Sequence, residues 1–322
     1  MLDNEDLYRR KWKIIYRCLA FRFFTDGVEY SIILPTLYNY LVKRYETDVS
    51  YVGVVMAAYA FGGLISAPFI GPLADRTGET KNIITFGCIV SFLSNMSYAF
   101  SPTKELVALA RFFAGLNCDP LVLGEIGRIN FLTEDERSKA ISGVFIFRQM
   151  GVLVGPLVVI LGSKLPSFYV LNTFIDQNNS GSLFNGILYF ISTLSFIFFY
   201  DSKALTKTDE NENDELKSPS NSEKATLGQV LLYEPIWVGL FGTYVIQFQQ
   251  SSIEAVLAPL TSKLFGWNQN NIALLFLIVG SIAIVGFVST TLSGVRKLTN
   301  GTAGNLRVGI VPLTLVFYRR IH

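Results

Sequence analysis

Long apolar stretches separated by short polar turns run through most of the chain, at about 17–41, 51–70, 82–100, 105–132, 140–162, 183–200, 236–264 and 272–292. Crossing a hydrocarbon layer of about 30 Å takes roughly 20 residues of helix. The pattern therefore predicts eight membrane-spanning helices. A thirteen-residue apolar stub follows at 306–318 and ends in Arg319, Arg320 and His322. It falls below the roughly 17 residues a span needs and reads as an interfacial or unfinished helix. Between 202 and 226 no apolar period survives, and four lysines against six acids leave −2. Such a stretch cannot bury enough apolar surface to order itself. The expected layout is an N-terminal tail at 1–16, a six-helix bundle at 17–201, a disordered linker at 202–226 and a partial second bundle at 227–322.

Composition agrees with the pattern. Of 322 residues, 50% are hydrophobic and 16% charged, with a mean hydropathy of +0.39, whereas soluble domains carry about 25% charged residues. The fold class expected is all-α, polytopic in a lipid bilayer. A net charge of +2 with dispersed basic residues excludes a nucleic-acid partner. Cys18, Cys88 and Cys118 lie at or inside apolar runs without CxxC spacing and are expected as buried free thiols. The only histidine is His322, there is no nucleophile elbow, and no carboxylate pair stands at metal-ligand spacing. Neither an enzyme nor a bound cofactor is expected.

Basic residues set the orientation. Arg9, Arg10, Lys11, Lys13 and Arg17 precede the first span, and Arg76, Lys81, Arg137, Lys139, Arg296 and Lys297 fall in alternate loops on the same side. The positive-inside rule then places the N-terminus in the cytoplasm. A glycosylation sequon at Asn178-Asn179-Ser180 falls on the opposite side. A seven-helix receptor, which needs an exterior N-terminus, fits poorly.

Ionisable groups deep in a bilayer are expensive and become functional candidates. Arg148 lies about 15 Å beyond Lys139 at helical rise, near the midplane. It can hold an anion or pair with an acid on a neighbouring helix, with Gln149 beside it. Asp26 and Glu29 share a face of the first helix, and Arg22 stands four residues before Asp26, in pairing reach. That leaves Glu29 the less committed carboxylate, a proton carrier or a structural acid. Asp119 falls near the centre of the fourth helix, Glu125 and Arg128 are spaced to neutralise each other, and Glu254 stands in a polar run with Gln247, Gln249 and Gln250. Glu254 is expected to face Arg148 from the second bundle or to hydrogen-bond at a helix end.

After the second span stands Gly71-Pro72-Leu73-Ala74-Asp75-Arg76-Thr77-Gly78-Glu79-Thr80-Lys81. Gly71 would let two helices approach, Pro72 and Gly78 would shape a tight turn, and Asp75 would suit a helix N-terminus or an arginine. This segment resembles the loop signature of the major facilitator superfamily, with Glu79 where a basic residue is usual. Arg111 and Gly115 resemble that family's R-x-x-x-G pattern, with Asp119-Pro120 where small residues are expected. Gly151, Gly155 and Pro156 in the fifth span fit the same family, or serve as small-residue packing and a kink. Residues 294–307 look like a decayed second copy of the loop signature.

Within the superfamily, 149–156, 254–261 and Trp267-Asn268-Gln269 are most similar to the lysosomal branch associated with neuronal ceroid lipofuscinosis. That resemblance implies an endolysosomal membrane protein that moves a small anion, coupled to protons where Glu29 or Glu254 titrates, by alternating access between two bundles. The family is built as six helices plus six, and this chain reads as six plus two and a stub. The alternative is a truncated, non-transporting product that assembles with or regulates a full-length transporter, with Asp75 and the second bundle completed by a helix from that partner.

Overall fold

The computed structural model describes residues 2–116, 118–127, 129, 132–164, 166–170, 173–200 and 234–299, with side chains described from residue 9 and not throughout the last two helices. The expected linker at 202–226, the stub at 306–318, Arg128, and the part of the second loop copy past 299 lie outside the described residues.

Helix α1 runs from Leu2 to Asn39 and passes into a π-helical turn at Tyr40–Arg44. The segment expected as a tail is thus the first turns of a 38-residue helix. Helix α2 covers Val49–Thr77, α3 Thr80–Ala99, α4 Lys104–Ala114, α5 Asp119–Gly127, α6 Glu134–Gly162 and α7 Ser180–Phe199. Helices α8 and α9 cover Glu234–Phe265 and Gln269–Thr299. A short antiparallel hairpin, β1 (Phe168–Val170) with β2 (Thr173–Ile175), precedes α7 and pairs Phe168 with Ile175.

Among the described residues, four stretches are long and apolar enough to cross a membrane: Val49–Thr77, Lys104–Gly127, Asp135–Gly162 and Ser180–Phe199. Helix α1 is interrupted by Arg22, Asp26 and Glu29, and α3 by buried Ser91, Ser94 and Asn95. Both place their polar groups inward, where neighbouring helices can satisfy them.

One compact unit takes in Met1–Thr206 and Ala255–Ser281, and a second takes in Lys207–Glu254 and Ile282–His322. In the first, α1 packs on α6 and α7, α3 on α7 and α4, and α2 on α4. The α1 and α6 backbones touch. A Cβ on Gly27 would fall on the carbonyl oxygen of Arg148, one on Gly151 on that of Phe24, and one on Gly155 on the Ser31 hydroxyl. Gly151 and Gly155 are therefore packing residues, as small-xxx-small spacing allows. Arg111 and Gly115 also have physical roles, since a Cβ on Gly115 would strike the Tyr59 carbonyl of α2.

The fourth apolar segment is broken. Helix α4 ends at Ala114, Gly115 donates back to Arg111 and Phe112 at 3.1 Å, and α5 starts at Asp119. Asp119 with Pro120 makes a favourable restart, because an acid suits the positive end of a helix and proline at the first turn needs no N–H partner.

The loop signature also differs from expectation. Helix α2 continues to Thr77, so Gly71, Pro72, Asp75 and Arg76 lie in its last turns. A Cβ on Gly71 would meet nothing within 4 Å among the described residues, and no close helix approach there depends on it. Proline at 72 removes only one backbone bond near a helix end, which the surrounding turns tolerate. Gly78 does act as expected: it closes α2 at φ 66°, donating to the Ala74 carbonyl at 2.9 Å. In that left-handed region a side chain would be strained.

Candidate functional site

Two apolar clusters divide the first unit along α1. One gathers Ile15, Leu19 and Phe23 with Ile84, Val122, Ile126 and Val144, and the other gathers Ile33, Leu37 and Tyr40 with Val52, Tyr98 and Val107. Arg22, Asp26 and Glu29 of α1 lie between them along the chain, and all three are buried. Charges held there need partners, because isolated ions in an apolar interior cost several kcal/mol even after relaxation.

Three arginine–carboxylate pairs supply them. Arg148 Nε of α6 donates to Asp26 Oδ2 at 2.8 Å. Arg111 Nη1 of α4 donates to Glu29 Oε1 at 3.2 Å. Arg22 Nη2 faces Asp119 Oδ1 at 3.4 Å, at the restart of the broken helix. The expected pairing of Arg22 with Asp26 is thus replaced by pairs between helices. An i, i+4 spacing puts two side chains on one face, but α6 and α5 bring a closer carboxylate or guanidinium to each.

Glu29, expected as the less committed carboxylate, has more hydrogen-bond partners than Asp26. Asn95 Nδ2 of α3 donates to Oε1 at 3.1 Å and the Tyr189 hydroxyl of α7 donates to Oε2 at 2.6 Å. The second arrangement is short, as hydrogen bonds to an ionised acceptor are. Tyr189 Oη in turn accepts from Arg22 Nη1 at 3.4 Å, and the Arg22 guanidinium lies 5.0 Å over its ring. Asn185 Nδ2 reaches Asn95 Oδ1 at 3.4 Å. The Arg111 guanidinium lies 4.4 Å over the Tyr59 ring and that of Arg148 5.7 Å from Tyr30. Asn95, Tyr189, Tyr59 and Tyr30 do not stand out in the sequence. Of these four, Asn95 alone carries a signal, an asparagine inside an apolar helix.

Exposure separates the arginines. The side chain of Arg148 is 31% exposed, against 6% for Arg111 and 1% for Arg22. Gln149 is half-buried on the next position of α6, and Pro156 is buried two turns on.

The other candidates make contacts of their own. Glu125 Oε2 accepts from the Tyr200 hydroxyl at 2.8 Å. Glu254 Oε1 accepts from Gln250 Nε2 at 2.9 Å one turn earlier on α8. Asn178 is half-buried, with its Nδ2 donating to Asp176 Oδ2 at 3.0 Å. Asp75 and Arg76 are exposed at the end of α2. Cys18, Cys88 and Cys118 are buried free thiols. Among the described residues no cluster of three or more His, Cys, Asp or Glu could hold a metal ion.

Known proteins share this architecture. The structure is similar to a bacterial homologue of the human lysosomal transporter Spinster, in an inward-facing and unoccupied conformation, with a TM-score of 0.67 at 12% identity over 96% of this chain and 67% of that one. It is similar to a D-xylose–proton symporter, with a TM-score of 0.65 at 17% identity over 90% of this chain and 70% of that one. In sequence it is 25% identical to the class H tetracycline resistance protein of Pasteurella multocida, over 78% of this chain and 59% of the relative. It is 22% identical to major facilitator superfamily domain-containing protein 8 of Xenopus laevis, over 96% of this chain and 64% of the relative. The chain thus spans about six-tenths of the length of these curated relatives. Residues 19–318 match the Major Facilitator Superfamily, and this all-α chain, with its charge-bearing helix α1 clasped by α6 and α7, belongs to that family of membrane transporters.

Proposed function

We propose that this chain forms the transport core of a secondary transporter that moves a small anion together with a proton, by alternating access. The observation that carries the reading is the Arg148–Asp26 pair, in which the guanidinium is 31% exposed and the carboxylate 2%. An arriving anion meets the arginine first and competes with Asp26 for it. The bond to Asp26 uses Nε, and a guanidinium carries five N–H donors, so a second acceptor can be held as the first is given up.

Charge balance supplies the proton. Three arginines face three carboxylates in the layer. An anion entering it adds one negative charge, and a proton taken up by Glu29 restores neutrality. Burying an uncompensated charge is costly, so the two move together. The names of the sequence relatives range over drug-resistance proteins, so the anion is argued from the site. The resemblance to the lysosomal branch supports an endolysosomal membrane and the placing of the basic residues supports a cytoplasmic N-terminus, and tagged protein co-localising with a lysosomal marker, with the tag reachable from the cytosol, tests both.

The central test uses the full chain in proteoliposomes with chloride as the probe anion. Arg148→Ala is expected to abolish chloride flux and Arg148→Lys to retain part of it. Unchanged flux in Arg148→Ala overturns the assignment.

A further inference from the structure

Arg22 is held between two acceptors, and both contacts are long. Its Nη1 reaches Tyr189 Oη at 3.4 Å and its Nη2 faces Asp119 Oδ1 at 3.4 Å. Charge-assisted N–H···O bonds run about 2.7–2.9 Å, and here Arg22 Nη2 and Asp119 Oδ1 are both buried without a hydrogen-bond partner. An ion pair this long has room to tighten. The side chain of Arg22 is almost wholly enclosed, whereas Asp119 heads α5, after the break in the fourth segment.

From Arg22 a single file of donors points one way. The guanidinium donates to the Tyr189 oxygen, and the Tyr189 hydroxyl donates to Glu29 at 2.6 Å. Donating to a carboxylate makes the phenol oxygen a better acceptor, because hydrogen bonds in series polarise one another. Ionised Glu29 therefore strengthens the hold of Tyr189 on Arg22. A protonated Glu29 is neutral and carries its own O–H, which competes for the same phenol oxygen. The hold on Arg22 weakens, and the guanidinium turns to Asp119, since the other acid near it, Asp26, is already held by Arg148.

We propose that Tyr189 is a positioning residue that passes the protonation state of Glu29 to the Arg22–Asp119 pair, so that proton uptake closes this pair and shifts the break between α4 and α5. The inference rests on the proton-carrying role given to Glu29 above. No covalent step is involved beyond the proton that joins the carboxylate.

Other groups around Glu29 remain in place while this happens. Arg111 from α4 and Asn95 from α3 hold Oε1, and Tyr59 of α2 lies against Arg111. Asp26 and Arg22 come from α1 itself, and Arg148 of α6 is engaged with Asp26. Tyr189 hydrogen-bonds both Glu29 and Arg22.

The test follows two signals in the full chain, reconstituted after its three cysteines are replaced by serine. One is the carbonyl stretch of a protonated acid in infrared difference spectra over a pH titration. The other is a bimane attached through Leu116→Cys, at the break. In the parent protein the two signals should titrate together. Tyr189→Phe keeps the ring against Arg22 and removes only the hydroxyl, so the carbonyl band should persist while the bimane response is lost. Asp119→Asn should give the same separation by removing the receiving charge, and it serves if Tyr189→Phe does not insert. Glu29→Gln should abolish both signals. A bimane response that still follows the carbonyl band in Tyr189→Phe or Asp119→Asn overturns the inference while leaving Glu29 as proton carrier. A carbonyl band that survives Glu29→Gln overturns the proton reading itself, and the inference with it.

Discussion

Arg111 and Glu29 meet at 3.2 Å between α4 and α1, with 6% and 1% of their side chains exposed. Breaking such a pair from one side leaves a buried charge uncompensated, which costs about 3–5 kcal/mol. Arg111→Ala should therefore lower the thermal midpoint of the detergent-purified protein sharply. The double variant Arg111→Gln with Glu29→Gln, which removes both charges, should recover part of the loss. A double variant as unstable as the single one would show that the charges themselves are not what the pair balances.

Gly151→Leu and Gly155→Leu should each destabilise the α1–α6 contact by at least the roughly 1–3 kcal/mol typical of overpacking. Their missing side chains are what lets α6 reach the Phe24 carbonyl and the Ser31 hydroxyl. Gly71→Ala points into open space inside α2 and should be neutral or stabilising by about 0.5–1 kcal/mol. Melting the three variants side by side checks the contrast.

Gly78→Ala should cost about 1 kcal/mol, because φ 66° is a conformation a side chain resists. Gly78→Asn should cost less, since asparagine tolerates the left-handed region better. The order glycine, asparagine, alanine in thermal midpoint is the expected result.

Glu136 gives a pH signature at the polar first turn of α6, partly exposed and ahead of the apolar run that starts at 140. Its carboxylate accepts from the Thr133 backbone N–H at 3.0 Å, closing a capping box, and from Arg9 at 3.2 Å. The Thr133 bond first, and Arg9 after it, hold the carboxyl below its ordinary value of 4.5. A lowered value means that the stabilisation is complete above the ordinary value and is lost as pH falls through the folded one. The gap in thermal midpoint between the parent and Glu136→Gln should therefore be widest near neutral pH and shrink on acidification. A gap that grows in acid contradicts the assignment.

Much of the helical layout could be read from apolar runs, and helical rise alone put Arg148 well inside its helix, as α6 has it. Partner choice could not be read. The spacing of Arg22 and Asp26 is satisfied along α1, but which guanidinium meets which acid is decided by how α5, α6 and α7 pack, and no local pattern encodes that. The break before Asp119 had a signal in Asp119-Pro120, which suits a helix start, but an unbroken apolar run masks it. Tyr189 looks like any aromatic residue on an apolar helix, and only its position against Glu29 and Arg22 gives it a role. The β1–β2 hairpin is too short for its strands to show a periodicity.

The backbone contact of α1 with α6 bears on how fast the Arg148–Asp26 pair can open. Gly27 lies against the Arg148 carbonyl itself, one residue from Asp26, so the two charges ride on a single welded unit. Parting them by moving the helices would unmake the contact. The pair must instead open by rotation about side-chain bonds, a process of picoseconds to nanoseconds where there is room, against microseconds or longer for rocking whole helices. On the proposed reading, Arg148 would sample an incoming anion many times within one conformational cycle, and the latch and the rocking motion would run on separate clocks.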